Sequence, residues 1–282
     1  MTGKVTGSEV TANTANEAAD NNATPKAAPG NEVLAEVQGD VLIITLNRPA
    51  ARNAVNRALA EGVAAAIDRL EGDERLRVGI LTGAGGTFCS GMDLKAFVAG
   101  EIPHIEGRGF AALTEYRCGK PLIGAVEGYA LAGGFELAIS CDLIVAAENS
   151  RFGIPEVKRG LAAAAGGLVK LPKQIPPRVA MELALTGEFI DARRAYELGL
   201  INRLVEPGQA LQAARELAGK IAANGPLAVA ASLEVMASAP DWSSAEAFAR
   251  QQEIVAPVLS SADAIEGATA FAQKRAPNWT GR

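Results

Sequence analysis

Two glutamates stand in settings suited to acid/base chemistry. Glu136 follows Gly128-Tyr-Ala-Leu-Ala-Gly-Gly-Phe and precedes the apolar run Leu137-Ala-Ile, while Glu156 closes Phe152-Gly-Ile-Pro-Glu within a second apolar stretch. Carboxylates in apolar, glycine-rich surroundings can have their proton affinities driven apart, which lets one give a proton while the other takes one. Gly133-Gly134 ahead of a helix start allows close backbone approach to a ligand, and the free N–H groups of that start attract developing negative charge. A second glycine-rich loop, Gly83-Ala-Gly-Gly-Thr-Phe-Cys-Ser-Gly-Met-Asp93, follows a strand. It fails as a dinucleotide fingerprint because Phe88 occupies the third glycine position. It also fails as a nucleophile elbow, where the same Phe88 replaces the glycine needed before Ser90. What remains is a tight turn at Gly91 that presents backbone N–H groups near Met92 and Asp93.

These groups need an ordered scaffold. The chain has 282 residues, 49% of them hydrophobic and 21% charged, so it can build a core and is neither wholly disordered nor collagen-like. One large domain plus a tail is expected. A net charge of −5 gives no broad attraction for nucleic acid or an anionic membrane. The three cysteines, Cys89, Cys118 and Cys141, form no Cys-x-x-Cys pair and suggest neither a disulfide framework nor a thiolate metal site. A single histidine, His104, excludes a His-rich metal centre and reads as a loop residue. Cys89 reads as a small packed hydrophobe. No apolar stretch approaches a membrane span and no signal-peptide core is visible, so a cytoplasmic location is expected.

The elements follow from pattern. Val41–Leu46 is a β-branched apolar run ended by Asn47-Arg-Pro49. Val55, Leu59, Val63, Ile67 and Leu70 then recur at helical spacing, with Asn53 as the expected cap. Further buried strands are expected at 78–82, 121–126 and 143–146, alternating with helix or loop material, which implies an α/β class. The last third is helical, with Asp191 as a cap, Gly199 as an end, a break at Gly225-Pro226, a capping-box spacing at Ser243 and Glu246, and a final helix within Ser261–Arg275. Residues 1–30 hold seven Ala, five Thr, four Asn and no aromatic, and are expected to form a disordered tail.

The ordered motifs Leu46-Asn-Arg-Pro…Asn53-Ala54, Phe88-Cys-Ser-Gly-Met-Asp-Leu94, Gly128-Tyr-Ala-Leu-Ala-Gly-Gly-Phe-Glu136-Leu-Ala and Phe152-Gly-Ile-Pro-Glu156 resemble those of the enoyl-CoA hydratase/isomerase (crotonase) family. The likeness runs from about residue 33 to the C-terminus. Asp93-Leu-Lys-Ala-Phe97, Gly109–Glu115, Leu171–Pro176 and the ending Lys274-Arg-Ala-Pro-Asn-Trp279 look most like the branch that acts on crotonobetainyl-CoA. The resemblance implies a spiral of ββα turns at 31–205, a helical trimerisation region at 206–282, and a homotrimer or dimer of trimers. It implies an acyl-CoA thioester whose carbonyl oxygen is held by the backbone N–H groups of Met92 and Gly133, and hydration of a 2-enoyl-CoA by Glu136 and Glu156. Glu136 would hold and activate water and Glu156 would deliver the proton. Arg52 and Lys274 are candidates for the CoA phosphates. No metal or separate cofactor is expected, CoA being part of the substrate. Ala163, Ala164 and Leu168 stand where relatives carry proline, glycine and threonine, and Ala132 where many carry a third glycine, so the acyl pocket is expected to differ in shape. Phe97, Phe110, Glu115 and Tyr116 are the candidates for meeting a polar acyl group. The competing readings are a double-bond isomerase, which can work with one carboxylate, a crotonobetainyl-CoA hydratase, and a non-catalytic acyl-CoA binder.

Overall fold

The computed structural model describes residues 1–3 and 30–282, so nearly all of the expected 1–30 tail lies outside the described residues. The chain then makes four successive turns of similar design. The first is β1 (Val33–Gln38), β2 (Val41–Leu46) and α1 (Arg57–Gly72). The second is β3 (Val78–Gly83), an extended segment at 88–90, α2 (Leu94–Val98) and a short hairpin of β4 (His104–Ile105) with β5 (Gly109–Phe110). The third is β6 (Leu122–Val126), β7 (Tyr129–Leu131) and α3 (Gly133–Ala138). The fourth is β8 (Leu143–Ala147), β9 (Arg151–Gly153) and the 3-10 turn Pro155–Arg159. There follow α4 (Gly167–Gln174), α5 (Pro177–Thr186), β10 (Ile190–Asp191), α6 (Ala192–Glu197) and β11 (Arg203–Val205). Four helices end the chain: α7 (Ala210–Ala222), α8 (Pro226–Ser238), α9 (Ala247–Leu259) and α10 (Ala262–Gln273).

The first strand of each later turn enters one sheet, ordered β1-β2-β3-β6-β8-β11, in which every pair after the antiparallel β1/β2 is parallel. The second strands form another, β10-β9-β7, extended by a parallel bridge from Cys89 to Ala130. The inner strands β2, β3, β6 and β8 are buried on both faces, which is why they read as continuous apolar runs. Leu42, Ile44 and Leu46 join a cluster with Leu59, Val63, Ile67 and Leu70 of α1. Val41 and Ile43 join Val78, Ile80, Ile123 and Val145 against Ala210, Ala214 and Ala218 of α7. Small residues four apart let α7 lie close on the sheet.

Several local expectations change. Helix α1 is capped by Asn56, whose side chain accepts the Leu59 N–H, while Asn53 is buried and does other work. Ser243 and Glu246 do pair through their side chains at 2.9 Å, but they form a turn ahead of α9, which starts at Ala247. The helical region expected from residue 206 opens with α7, which covers the main sheet, and Gly225-Pro226 starts the next helix, α8. Beyond α7, Met236, Phe248, Leu259, Ile265 and Phe271 are exposed on α8, α9 and α10.

Candidate active site

The loop before Met92 is fixed from both sides. Cys89 N donates to Tyr129 O and Leu131 N to Cys89 O, at 2.9 and 3.0 Å, and Val55 N donates to Gly91 O at 2.8 Å. Gly91 has a φ of +99°, and a Cβ there would fall 3.2 Å from Gly133 N and 2.8 Å from Ala132 Cβ, so only glycine allows this turn to press against the start of α3. That start is itself sharp: Ala132 has φ +53° and ψ −131°. The result brings Gly91, the residue before Met92, against the Gly133 N–H. Among the described residues neither the Met92 N–H nor the Gly133 N–H has a hydrogen-bond acceptor, whereas Asp93 N, expected to be free as well, donates to Val55 O at 2.9 Å. Two unpaired donors, one at a helix N-terminus, suit an oxygen that gains negative charge. Phe110 closes the wall: a Cβ on Gly133 would lie 2.6 Å from its ring.

Both glutamates emerge past the same ends of neighbouring parallel strands, Glu136 after β7 and Glu156 after β9. Phe135 and Phe152, one from each segment, pack at a centroid distance of 5.6 Å. Glu136 is 2% exposed, and its Oε1 accepts the Gly167 N–H at 2.8 Å. Burial raises its carboxyl to about 7, with the charge of Glu156 pushing the same way and Gly167 and Lys170 opposing. Glu156 is partly buried, and burial raises its proton affinity too. Its Oε2 has no hydrogen-bond partner among the described residues, and a buried carboxylate oxygen of this kind is a strong acceptor for a bound polar group. The Glu156 charge is felt at Glu136, where it adds to burial in favouring the protonated form.

Other expected residues divide. Exposed Arg52 adjoins the loop that carries Met92, its carbonyl accepting Ser90 N at 3.1 Å. Lys274 ends α10 in a left-handed conformation, and no hydrogen bond or ion pair among the described residues ties it to the loop or to α3. Tyr116 is committed elsewhere: its hydroxyl donates to Glu71 Oε2 at 2.6 Å, and Arg108 stacks over its ring at 4.4 Å. Phe97 is exposed on α2, and Glu115 is exposed beside the hairpin. Cys89 is fully buried with its thiol pushed up to about 12, which makes it packing. His104 is exposed on β4, where it pairs with Phe110, and its carbonyl accepts from Arg57.

The supporting residues are less visible in the sequence. Asn53 accepts the Arg48 N–H at 2.9 Å and donates to Ala84 O and Thr87 O at 2.9 and 2.6 Å, locking the first turn to the loop that leads to Met92. Arg48 pairs with Asp93 at 3.0 Å, and Asp93 caps α2. Gly167 holds the Glu136 carboxylate, a contact that nothing local to either residue announces.

This arrangement has counterparts. The sequence model described as Enoyl-CoA hydratase/isomerase matches residues 36–282. The enoyl-CoA hydratase EchA19 of Mycobacterium tuberculosis is 46% identical over 262 residues, covering 90% of this chain and 98% of that protein. A carnitinyl-CoA dehydratase of Proteus mirabilis is 42% identical over 253 residues, covering 87% and 97%. A crystal structure of an enoyl-CoA hydratase from Mycobacterium tuberculosis H37Rv superposes with a TM-score of 0.88 at 59% identity, over 90% of this chain and all of that one. With motifs, spiral of turns and helical end all matching, the chain belongs to the enoyl-CoA hydratase/isomerase family and has the crotonase fold.

Proposed function

We propose that this protein catalyses the reversible hydration of a 2-enoyl-CoA thioester to the 3-hydroxyacyl-CoA. The observation that carries this reading is the pair of carboxylates of raised proton affinity, Glu136 in the first turn of the helix that Gly133 opens and Glu156 after the neighbouring parallel strand, together with two backbone donors that have no acceptor among the described residues. The Met92 and Gly133 N–H groups bind the thioester oxygen, which gains charge as the enolate forms. One such donor is worth ~2.7–4 kcal/mol and positioned acid/base groups about 10²–10⁴-fold. Glu136 takes a proton from the water whose oxygen bonds to C3, and protonated Glu156 gives its proton to C2. The base works near its own pKa, where proton transfer is most effective.

An isomerase needs only one of the two carboxylates, and the presence of both favours hydration. The Tyr116 ring already carries Arg108 and is withdrawn from any cage for a trimethylammonium head. A simple enoyl group therefore fits better. Turnover of crotonyl-CoA with kcat/KM more than ~10-fold above crotonobetainyl-CoA supports this, and the reverse preference makes it a carnitine-type enzyme. The exposed apolar side chains of α8, α9 and α10 support a homotrimer or dimer of trimers, which sedimentation reads directly. Free, buried cysteines support a reducing compartment such as the cytoplasm.

A further inference from the structure

Lys170 is partly buried in the second turn of α4, where a lysine has no propensity-based reason to point inward. Its Nζ donates to Thr114 O and to Ser140 Oγ, each at 2.7 Å. Ser140 Oγ in turn donates to the carbonyl of Glu136 at 2.7 Å. The same helix, α4, presents the Gly167 N–H to the Glu136 carboxylate. Gly166 ahead of it has φ +106°, a left-handed turn that lets α4 start beside the Lys170 stem. Thr114 also anchors the wall of the oxyanion hole, its hydroxyl accepting the Phe110 N–H at 2.9 Å.

We propose that Lys170 is a positioning residue for Glu136: one ammonium joins the 110–114 wall, the end of α3 and the start of α4, and holds Glu136 in place as a carboxylate. The inference rests on the hydratase reading for its consequence in turnover, but the tie itself does not depend on the substrate. The charges around the pair are few. Lys170 is faced by Glu136 from α3, by Cys141 just beyond it, and by Glu115 and Arg117 from the segment after β5. Glu136 is faced by Glu156 from the 3-10 turn and by Lys170. Burial and Glu156 both favour a protonated Glu136, and the Lys170 charge works against them.

The direct test is a pH titration of the Glu136 side-chain carboxyl by carbon NMR in glutamate-labelled full-length protein, its signal assigned by its loss in Glu136→Gln. Lys170→Gln keeps a donor and removes the charge; Lys170→Arg keeps the charge. Glu136 in Lys170→Gln is expected to bind its proton roughly tenfold more tightly than in the wild type, and in Lys170→Arg to stay near the wild-type value. In crotonyl-CoA hydration the acid limb of kcat/KM should move up with it, activity returning at high pH. An unchanged Glu136 titration in Lys170→Gln overturns the proposal, as does a turnover loss of equal size at every pH. Should Lys170→Gln not fold, Ser140→Ala, which cuts the tether and spares the charge, must shift Glu136 in the same direction by a smaller factor; no shift there overturns it too. A wild-type protein that fails to hydrate any enoyl-CoA sinks the hydratase reading alone, since the titration still decides the role of Lys170.

Discussion

The Glu136 carboxylate closes the open start of helix α4 by accepting the Gly167 N–H at 2.8 Å, where Gly166 offers no side chain to cap it. A catalytic candidate is thus also a capping group for a helix 31 residues away in sequence. The bond favours the ionised form, yet burial outweighs it and the carboxyl rises to about 7. The folded chain therefore binds this proton more tightly than the unfolded chain.

That difference makes stability depend on pH. The contribution from Glu136 is full below its ordinary value of 4.5 and is lost as pH rises through about 7. The full loss is about 3–4 kcal/mol, taking ~1.4 kcal/mol per unit. Glu136→Gln, which keeps the Gly167 acceptor without the charge, should match the wild type near pH 5 in urea denaturation and exceed it at pH 8. Parallel stability curves would show that ionising this site costs nothing.

Turnover should move the other way. Glu136→Gln and Glu156→Gln are each expected to lower kcat for a 2-enoyl-CoA by at least ~10², with binding of the CoA ester retained. In the wild type, kcat/KM should fall as pH drops through about 7, because the base becomes protonated. Near wild-type rates in either folded variant would remove it from the chemistry.

The oxyanion donors make a contrast between backbone and side chain. Met92→Ala should keep most activity, since only its N–H is used. Gly133→Ala drives a Cβ to within 2.6 Å of Phe110 and should cost ~10² in kcat, on the scale of one lost donor. Phe110→Ala makes room, so the double variant should recover a good part of that loss. A double variant no better than Gly133→Ala alone would mean that the ring is not what the new methyl displaces.

The central strands at 41–46, 78–83, 122–126 and 143–147 were legible because burial on both faces makes each an unbroken apolar run. The second sheet was not, since β7 and β9 have three residues apiece, too few for a period to show. Both glutamates stood out by their glycine and proline neighbours. Their supports did not: Gly167 and Lys170 reach α3 only through the tertiary fold, and the choice of Asn56 over Asn53 as cap was decided by the loop that Asn53 bonds. Tyr116 misled for the same reason, because its partners Glu71 and Arg108 come from α1 and from the hairpin turn.

Asn53 offers the sharpest test of how the first turn positions the oxyanion loop. It is fully buried, has φ +55°, and makes three hydrogen bonds, to Arg48 N, Ala84 O and Thr87 O. Asn53→Ala leaves three part-buried backbone groups without this partner and places a poorer residue in the left-handed region, where asparagine is favoured. A loss of about 2–4 kcal/mol in urea denaturation is expected, with kcat falling because the loop carrying Met92 is released. Asn53→Asp separates the two halves of the bond set: its carboxylate can still accept the Arg48 N–H but turns a second acceptor toward Ala84 O and Thr87 O, so it should be no better than alanine. An aspartate variant as stable as the wild type would show that the donor half of Asn53 does not hold the loop.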